Sequence, residues 1–547
     1  MKVSEAVGRA LVQWGVDRVF GVAGSGNFEV TVAMIDAGAQ YVAARHEGGA
    51  TTMADGYARL SRKVTVASVH QGPGLTNAMT GLGEAVKAHT PLIIVAGETP
   101  ATMKTSNFWF DQAAAAEALG AKAFRLESPK TALADAARAF SVASQGHAVL
   151  LGLPLDVQAA EFDWSGVAPA VPPVPSPPAP SSDTVADLVS RLTAAERPLI
   201  VGGRGAFAAH DELVRLAAAS GALLATTAMA RGLFTDDPWN VDVIGGFANA
   251  SMAEIIQDAD LIVAFGASLN RWTTRNGELI GGTPVVQVDI DRTAFDRHRG
   301  VESAVIGDAA LVAGAVADAL SPAQRIGYRT LETAEKLASG RLWRDQPFEA
   351  RAAEGRIDPR VLAIALDDLL PTERIVTADA GSHTEYTAMY LQVPDERGCC
   401  LPLGFQCIGL ALSAGIGAAI AQPDRLPVVG VGDGDGGFMM SLVELDTAAR
   451  LGLPLVVVVY NDSAYGAEVH HFGDSRMPLD IVKFPDTDIA AIARGFGCTG
   501  ITVRSLDDLS GLREWIDGDR SQPIVIDAKT ISFPSWVDAH AFVGEPK

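Results

Sequence analysis

Residues 428–468, VVGVGDGDGGFMMSLVELDTAARLGLPLVVVVYNDSAYGAE, place an acidic loop after each of two apolar runs. The apolar residues within 440–451 recur with helical spacing, and 453–460 form a continuous apolar run typical of a buried parallel strand. A right-handed crossover brings the carboxyl ends of both strands to one edge of the sheet, so we expect Asp435 and Asp462 to lie side by side. Two carboxylates beside Gly-rich backbone N–H groups suit a Mg²⁺ ion that carries a diphosphate.

This segment resembles the GDG…N cofactor signature of thiamine diphosphate (ThDP) enzymes. Two GDG triplets overlap, at 432–434 and 434–436, and the second gives the family spacing to Asp462. The family usually has Asn at that position, so Asp462 adds a negative charge beside the phosphates. The resemblance implies that Asp435, Asp462 and the backbone carbonyl of Ala464 bind Mg²⁺. It also implies that the cofactor contacts Gly434, Gly436, Gly437, Tyr465 and Gly466. The alternative is a Gly-rich turn with solvated acids.

Composition limits the classes of partner. A formal net charge of −22 argues against nucleic acid and anionic membranes. The longest apolar run, 408–421, is too short to span a bilayer, and the N-terminus has no signal-peptide core. Four cysteines have no metal-ligand spacing and predict no disulfide framework. We therefore expect a cytoplasmic protein.

The chain of 547 residues predicts about three domains. Residues 1–166 alternate short apolar runs with helical patterns, which predicts a parallel α/β domain. A Pro-rich linker at 167–183 leads to a second, Rossmann-like domain at 184–325. A charged connector at 326–355 precedes a third domain at 356–547. The predicted fold class is therefore α/β, with three doubly wound parallel-sheet domains. The middle domain lacks a GxGxxG fingerprint, so a nicotinamide site is not expected there.

A second motif lies near the N-terminus, where Glu47 follows a predicted strand and begins a predicted helix. Taken alone, a Glu at a helix N-terminus is a favourable partner for the helix dipole. However, RHEGGATTMADGYAR at 45–59 is similar to the segment that carries the activating glutamate of ThDP enzymes. The runs VHQGPGLTN at 69–77 and PLIIVAGE at 91–98 follow at the family distances. The match covers nearly the whole chain and resembles the pyruvate oxidase, acetolactate synthase and benzoylformate decarboxylase group.

The resemblance implies a mechanism. The first, middle and third domains would be the pyrimidine-binding, middle and diphosphate-binding domains. Glu47 would hydrogen-bond the aminopyrimidine, and a 2-oxo acid would lose CO₂ through a ThDP enamine that yields an aldehyde or an acyloin. An acetolactate synthase-like transfer to a second 2-oxo acid stays open. So does a 2-hydroxyacyl- or oxalyl-coenzyme A lyase, for which Arg231 could serve a nucleotide site.

Further cofactor contacts follow from the same resemblance. Ile408 matches the apolar residue that props the bent cofactor, and the Gln406 carbonyl and the Ile408 N–H would hold the pyrimidine. Gly381, Ser382 and His383 resemble the loop that touches the diphosphate. For Ile408, an ordinary core position is the alternative. Bound flavin in the middle domain is possible but not expected.

The candidate substrate and catalytic residues are less specific. His70 resembles the histidine of benzoylformate decarboxylases and could guide the carboxylate or relay a proton. Glu468 matches a catalytic glutamate of pyruvate and indolepyruvate decarboxylases, and Gln112 matches a glutamine of the acetolactate synthase pocket. Ser25 and Asn27 could face the substrate, although turn chemistry explains them equally well. A strand-end His and a solvated helix-start Glu are the alternatives for His70 and Glu468.

The chain also departs from its relatives. The acetolactate synthase turn PKDVQ is PLDVQ at 154–158, with Leu155 in place of the lysine. In the family, the site forms between the first domain of one subunit and the third domain of another. We therefore expect a homodimer with shared active sites that pairs into a homotetramer, with a small 2-oxo acid as the substrate.

Overall fold

The computed structural model describes residues 1–320, 326–351, 353–432, 434, 437–473 and 477–535. Within these ranges, the strands form three sheets in which every neighbouring pair is parallel. This confirms the predicted α/β class with three parallel-sheet domains. No helix in the described ranges is long and apolar enough to cross a membrane.

The first domain is a six-stranded sheet of order β2-β1-β3-β4-β6-β5 with helices on both faces. Its strands are β1 (Arg18–Gly21), β2 (Gln40–Ala43), β3 (Thr65–Val69), β4 (Leu92–Glu98), β5 (Lys122–Arg125) and β6 (Ala148–Pro154). Its helices are α1 (Val3–Gln13), α2 (Phe28–Asp36), α3 (Glu47–Ser61), α4 (Pro73–Ala88), α5 (Gln112–Ala118), α6 (Ala132–Ala143) and α7 (Leu155–Gln158).

The middle domain has the doubly wound order β12-β11-β10-β7-β8-β9. Its strands are β7 (Pro198–Gly202), β8 (Leu223–Thr226), β9 (Asn240–Val243), β10 (Leu261–Phe265), β11 (Val285–Asp289) and β12 (Ser303–Ile306). Its helices are α8 (Ser182–Ala194), α9 (His210–Ser220), α10 (Ala250–Gln257), α11 (Arg271–Thr274) and α12 (Ala309–Ala319), and α13 (Leu331–Gly340) lies in the connector.

The third domain has the order β13-β14-β15-β17-β16. Its strands are β13 (Arg374–Ala378), β14 (Leu426–Gly432), β15 (Val456–Asn461), β16 (Thr499–Val503) and β17 (Ile524–Lys529). Its helices are α14 (Pro359–Leu369), α15 (Thr384–Tyr390), α16 (Ala411–Ala421), α17 (Phe438–Ser441), α18 (Glu444–Arg450), α19 (Gly466–Phe472), α20 (Ile489–Gly495) and α21 (Ser510–Asp517). Without edge strand β2, the first sheet has this same order, so the two domains share a layout.

Two predicted elements differ from the structure. The helix expected at 440–451 is divided into α17 and α18, which are separated by Leu442 and Val443. The strand expected at 453–460 begins at Val456, because Pro454 has no N–H to donate to a neighbouring strand. The predicted linker has no helix or strand up to residue 181, and its Pro169 and Pro172 carbonyls accept hydrogen bonds from Trp14 and Ser141. The predicted domain boundaries stay predictions.

The first and third domains share one hydrophobic core that joins residues of α3, α16 and both sheets. Two glycines permit close packing of α3 against α16. A Cβ atom on Gly56 would lie 2.4 Å from the Ala414 carbonyl oxygen, and one on Gly417 would lie 2.0 Å from that of Met53. These contacts fix the first domain against the third within one chain.

Candidate active site

Glu47 is the first residue of α3 and lies at the carboxyl edge of the first sheet. His46 caps the helix through Nδ1, which accepts a hydrogen bond from the Gly48 N–H at 3.0 Å. The half-buried Glu47 carboxylate accepts a hydrogen bond from Asn77 Nδ2 of α4 at 3.0 Å. Its second oxygen, Oε1, borders Gly74. The loop after β2 thus presents a carboxylate oriented by a neighbouring helix.

His70 follows β3 at the same sheet edge, and its tautomer follows from its neighbours. Nδ1 lies 2.8 Å from the Gln71 carbonyl, which can only accept a hydrogen bond, so Nδ1 carries the proton in the neutral ring. Nε2 then accepts from the exposed Ser25 hydroxyl at 3.3 Å. A Cβ atom on Gly74 would lie 3.1 Å from His70 Cβ and 3.5 Å from Glu47 Oε1. His70 and Glu47 therefore border the same small gap.

Asn27 and Gln112 are buried, and their amides brace the backbone of this edge. Asn27 Nδ2 donates to the Val22 carbonyl and to Ser68 Oγ, while Oδ1 accepts from the Gly24 N–H. Gln112 Oε1 accepts from the Gly72 N–H, and Nε2 donates to the Gly97 carbonyl, both at 3.0 Å. Their roles in substrate binding stay predictions. In this structure they shape the loops that carry Ser25 and His70.

In the third domain, the loop after β13 contains Gly381, Ser382 and His383. Gly381 has a φ of +135°, a conformation that favours glycine. His383 is buried, and neither ring nitrogen makes a hydrogen bond within the described residues. Its Nε2 lies 3.5 Å from Oδ1 of the buried Asp379, whose pKa is raised because of burial. Because Nε2 faces the Asp379 carboxylate, Nδ1 is the ring nitrogen that is open to a ligand among the described residues.

Asp379 ties this loop to the segment of Gln406 and Ile408. Its Oδ2 accepts hydrogen bonds from the N–H groups of Leu410 and Ala411, at the start of α16, at 2.6 and 2.8 Å. Gln406 itself has a φ of +54°, uncommon for a residue other than glycine. Such backbone outliers cluster at ligand-binding sites, where the surrounding structure holds them.

The loops after β14 and β15 meet, as predicted. A Cβ atom on Gly434 would lie 2.2 Å from the Ala464 carbonyl oxygen, so that glycine lies directly against the second loop. A Cβ atom on Gly437 would lie 2.3 Å from the Gly409 N and 2.9 Å from the Ile408 carbonyl carbon. The predicted ligand Asp435 and its neighbour Gly436 lie outside the described residues.

Asp462 is half-buried, and the residue after it, Ser463, has a φ of +62°. Residues 463–465 are held by hydrogen bonds from the Tyr465 N–H to the Val482 carbonyl and from the Phe484 N–H to the Ser463 carbonyl, both 2.8 Å. Gly466 begins α19 and is buried, whereas Glu468 on the same helix is exposed. Within the described ranges no three acidic, His or Cys side chains cluster as a metal site. The three predicted Mg²⁺ ligands include only one such side chain within these ranges, that of Asp462. The other two are the Ala464 backbone carbonyl and Asp435.

A cavity of about 2500 Å³ lies between the third and middle domains and reaches the first domain. Its third-domain wall includes the candidates Gly381, Gln406, Ile408, Tyr465 and Glu468. Among the described residues, Glu47 and His70 are not part of its lining. One chain therefore presents its candidate residues as two separate groups.

The third-domain residues fit a diphosphate-bearing cofactor on three grounds. Nδ1 of buried His383 has no hydrogen-bond partner in the described part of the chain, whereas Nε2 faces Asp379. Gly434 and Gly437 let the loops at this edge pack backbone against backbone, because a Cβ atom on either would lie within 2.3 Å of a neighbouring backbone atom. The Ala464 carbonyl and the Asp462 carboxylate supply the hard oxygen atoms that Mg²⁺ prefers.

Sequence reasoning missed Asp379 and Glu444. Glu444 is buried, which raises its pKa, and its carboxylate accepts hydrogen bonds from the N–H groups of Arg45 and His46, immediately before Glu47. An acid directly after a buried strand could have signalled Asp379. Glu444 lies within a helical pattern, where its partners 399 and 398 positions away leave no local signal.

Arg231 does not line the cavity among the described residues. Its buried guanidinium donates to the carbonyls of Ala388, Met389 and Leu391 at the C-terminus of α15. These bonds attach the middle domain to the third domain and satisfy helix carbonyls that lack an internal partner. The nucleotide-binding role considered for Arg231 is therefore not supported.

Comparisons with known proteins agree with this division into domains. Three family models match: the N-terminal TPP binding domain of thiamine pyrophosphate enzymes at residues 1–118, the central domain at 185–316, and the C-terminal TPP binding domain at 379–528. A probable 2-ketoarginine decarboxylase of Pseudomonas aeruginosa is 33% identical, over 93% of this chain and 90% of its own length. An acetolactate synthase large subunit of Parasynechococcus marenigrum is 30% identical, over 98% and 87%. A sulfoacetaldehyde acetyltransferase of Alcaligenes xylosoxydans is 28% identical, over 94% and 90%.

Proposed function

Since the chain belongs to the thiamine pyrophosphate enzyme family, we propose that it is a ThDP- and Mg²⁺-dependent lyase or carboligase that decarboxylates a 2-oxo acid. The products are CO₂ and an aldehyde or an acyloin. The observation that carries this proposal is the placement of Glu47. Its carboxylate is fixed by Asn77 at the carboxyl edge of the first sheet, beside His70.

In this proposal ThDP, when bound, supplies the carbon nucleophile and takes up the electron pair released with CO₂. Glu47 would hydrogen-bond a pyrimidine nitrogen, while the Gln406 carbonyl and the Ile408 N–H hold the same ring. Ser382 and His383 would contact the diphosphate. The Mg²⁺ ion would bind to Asp435, Asp462 and the Ala464 carbonyl, and its positive charge offsets the additional carboxylate at 462.

His70 is the candidate for proton transfer at the substrate. Its Nδ1 proton is committed to the Gln71 carbonyl, so Nε2 is the position that can take up a proton. Ser25 shares that nitrogen and would orient the ring towards the substrate. Glu468 lies on the third-domain wall of the cavity and would act on the substrate from the side opposite His70.

We further propose a homodimer with shared active sites that pairs into a homotetramer. The cavity of one chain carries third-domain candidates, whereas Glu47 and His70 lie outside its described lining. Large apolar side chains near both groups are exposed, namely Phe108 beside His70 and Met440 beside Gly409. A second subunit that covers these side chains would bring its Glu47 to the third domain of the first.

The relatives indicate which substrates to test. The 2-ketoarginine decarboxylase suggests a 2-oxo acid with a cationic side chain, and the acetolactate synthases suggest transfer to a second 2-oxo acid. The exposed Glu468 carboxylate favours the first candidate, because it gives a cationic side chain a partner at the cavity wall. Leu155, in place of the acetolactate synthase lysine, also argues against the second.

The test is product analysis of the purified protein with ThDP, Mg²⁺ and a panel of 2-ketoarginine, pyruvate and aromatic 2-oxo acids. CO₂ and organic products are followed together. We expect CO₂ with an aldehyde or an acyloin from at least one panel member. Acetolactate from pyruvate would instead establish the second candidate function. Absence of CO₂ from every member would contradict the decarboxylase proposal.

A further inference from the structure

Two first-domain helices form hydrogen bonds with the backbone of the third-domain segment 401–405. Glu84 of α4 is fully buried, and its two carboxylate oxygens accept hydrogen bonds from the N–H groups of Gly404 and Phe405, at 3.0 and 2.6 Å. Arg59 of α3 donates to the Leu401 carbonyl at 2.8 Å and to Glu84 at 2.6 Å. Charge-assisted hydrogen bonds therefore hold the backbone at both ends of this segment.

The charges in this cluster do not follow from the needs of packing. Arg59 lies 2.7 Å from a second buried carboxylate, Asp55, which also accepts a hydrogen bond from Thr90. Two acids share the Arg59 guanidinium, and Arg204 of the middle domain interacts electrostatically with both acids, so the cluster holds several ionisable groups away from water. Burying such groups is costly, and apolar residues of similar volume would stabilise a domain contact at lower cost. The Gly404 and Phe405 N–H groups supply the additional donors that Glu84 needs.

Segment 401–405 continues directly into the residues predicted to contact the pyrimidine. Gln406, with its left-handed backbone, is the next residue after Phe405, and Ile408 follows two positions later. There is little free space between helix α4 and this segment. A Cβ atom on Gly404 would lie 3.1 Å from Glu84 Oε1, and one on Gly83 would lie 2.7 Å from the Phe405 ring. A shift of the Glu84 carboxylate therefore moves the backbone just before Gln406.

We propose that Glu84, supported by Arg59, is a positioning residue that holds the Gln406 carbonyl and the Ile408 N–H in place for the cofactor pyrimidine. This inference rests on the proposed function. Glu84 touches neither the diphosphate loops nor the metal ligands among its described contacts. We therefore expect its effect to be largest at the pyrimidine end of the cofactor.

The test compares Glu84→Gln with Asp135→Asn. Asp135 is a matched control, because its buried carboxylate also accepts from a backbone N–H, that of Glu127, and pairs with an arginine, Arg138. Its described contacts lie wholly in the first domain. The probes are ThDP and inorganic diphosphate, each titrated with Mg²⁺ by calorimetry, together with kcat and KM on the substrate that the panel identifies.

For Glu84→Gln we expect the Kd for ThDP to rise about tenfold and kcat to fall about tenfold, because two backbone donors lose a charged acceptor. The Kd for inorganic diphosphate should stay at the wild-type value, and Asp135→Asn should change neither. Unchanged ThDP affinity in Glu84→Gln, or equal weakening of ThDP and diphosphate, would overturn the proposal.

Two further outcomes are informative. If Glu84→Gln does not fold, Glu84→Asp carries the same test, because it keeps the charge and withdraws the oxygens by one methylene. The same selective loss of ThDP affinity is then expected, and wild-type affinity would again overturn the proposal. If the wild-type protein binds no ThDP, the proposed function fails and this inference fails with it.

Discussion

At the scale of single residues, the position of Glu47 combines three local features. It begins a helix, where the N-terminal dipole favours a carboxylate. Asn77 fixes one of its oxygens, and the other borders the gap beside His70. The Glu444 carboxylate holds the backbone of the two preceding residues. A carboxylate fixed in this way is preorganised for one hydrogen bond to a ligand.

Replacement of Glu47 by Gln tests this role. We expect turnover to fall at least about 100-fold, since the amide cannot support proton movement on the pyrimidine. ThDP should still bind, because the amide preserves the shape of the side chain and the third-domain contacts are unchanged. Steady-state kinetics and calorimetric ThDP titration measure the two effects. Turnover near the wild-type rate would contradict the assigned role.

The choice between the two GDG triplets is also testable at this scale. Asp435→Ala should abolish Mg²⁺-dependent ThDP binding, because the metal loses a charged ligand. Asp433→Ala is the matched control and should retain it. The measurement is ThDP binding with and without added Mg²⁺. The opposite pattern would assign the metal to the first triplet.

Sequence reasoning at this scale worked where a residue type has one common use in a motif. The sequence predicts that Glu47 begins a helix and that the loops after β14 and β15 meet at one sheet edge, and the structure has both features. It could not show that Asn27 and Gln112 are buried braces. Burial of an amide depends on carbonyls and N–H groups that are distant in the chain, such as Gly97 for Gln112.

At the scale of elements, the contact of α3 with α16 depends on the absence of side chains. The Gly417→Ala change places a Cβ atom 2.0 Å from the Met53 carbonyl oxygen, a backbone atom that cannot rotate away. We expect the free energy of unfolding to fall by about 3 kcal/mol through overpacking. Urea denaturation followed by circular dichroism measures it.

The matched control for that helix contact is Gly495→Ala in α20. A Cβ atom there meets no atom within 4 Å, so the change should be neutral or stabilise the protein by about 0.5 kcal/mol. Equal destabilisation by both substitutions would contradict this explanation. It would mean that the change in backbone conformational freedom from Gly to Ala, and not the contact between α3 and α16, lowers the free energy of unfolding.

A pH-dependent contact joins α18 to the loop before α3. Arg45 and Arg450 hydrogen-bond Asp446 and lower the pKa of its carboxyl to about 2. Because this pKa is below the ordinary value of 3.8, the ionised group stabilises the fold above about pH 4, and the contribution is lost as the pH falls towards 2. We expect Asp446→Asn to cost about 1 kcal/mol at pH 7, since Arg45 is partly exposed.

The measurement for Asp446→Asn is the difference in unfolding free energy from wild type between pH 7 and pH 3. It should be constant down to about pH 4 and then decrease. A difference that grows as the pH falls would contradict the assigned ion pair.

At the scale of the whole molecule, the sequence predicted three parallel sheets because short apolar runs alternate with helical patterns within each predicted domain. The packing between domains could not be predicted in the same way. Glu84, Glu444 and Arg231 form hydrogen bonds with residues of another domain, and the residues beside them in the sequence do not indicate those partners. Contacts between domains depend on how the sheets pack against each other, and hydrophobic periodicity gives no information about that packing.

The proposal that active sites are shared between subunits predicts the behaviour of mixed dimers of Glu47→Gln and Asp435→Ala chains, produced by coexpression with two affinity tags. Each variant alone should be inactive. In a mixed dimer, one site receives both substitutions, while the other combines an intact Glu47 with an intact Asp435. Random pairing should therefore restore roughly a quarter of the wild-type activity, and dimers purified through both tags should restore roughly half. If each chain formed its site alone, the mixed dimers would stay as inactive as the two variants. That result would contradict the shared site and show that Glu47 reaches the cofactor within its own chain.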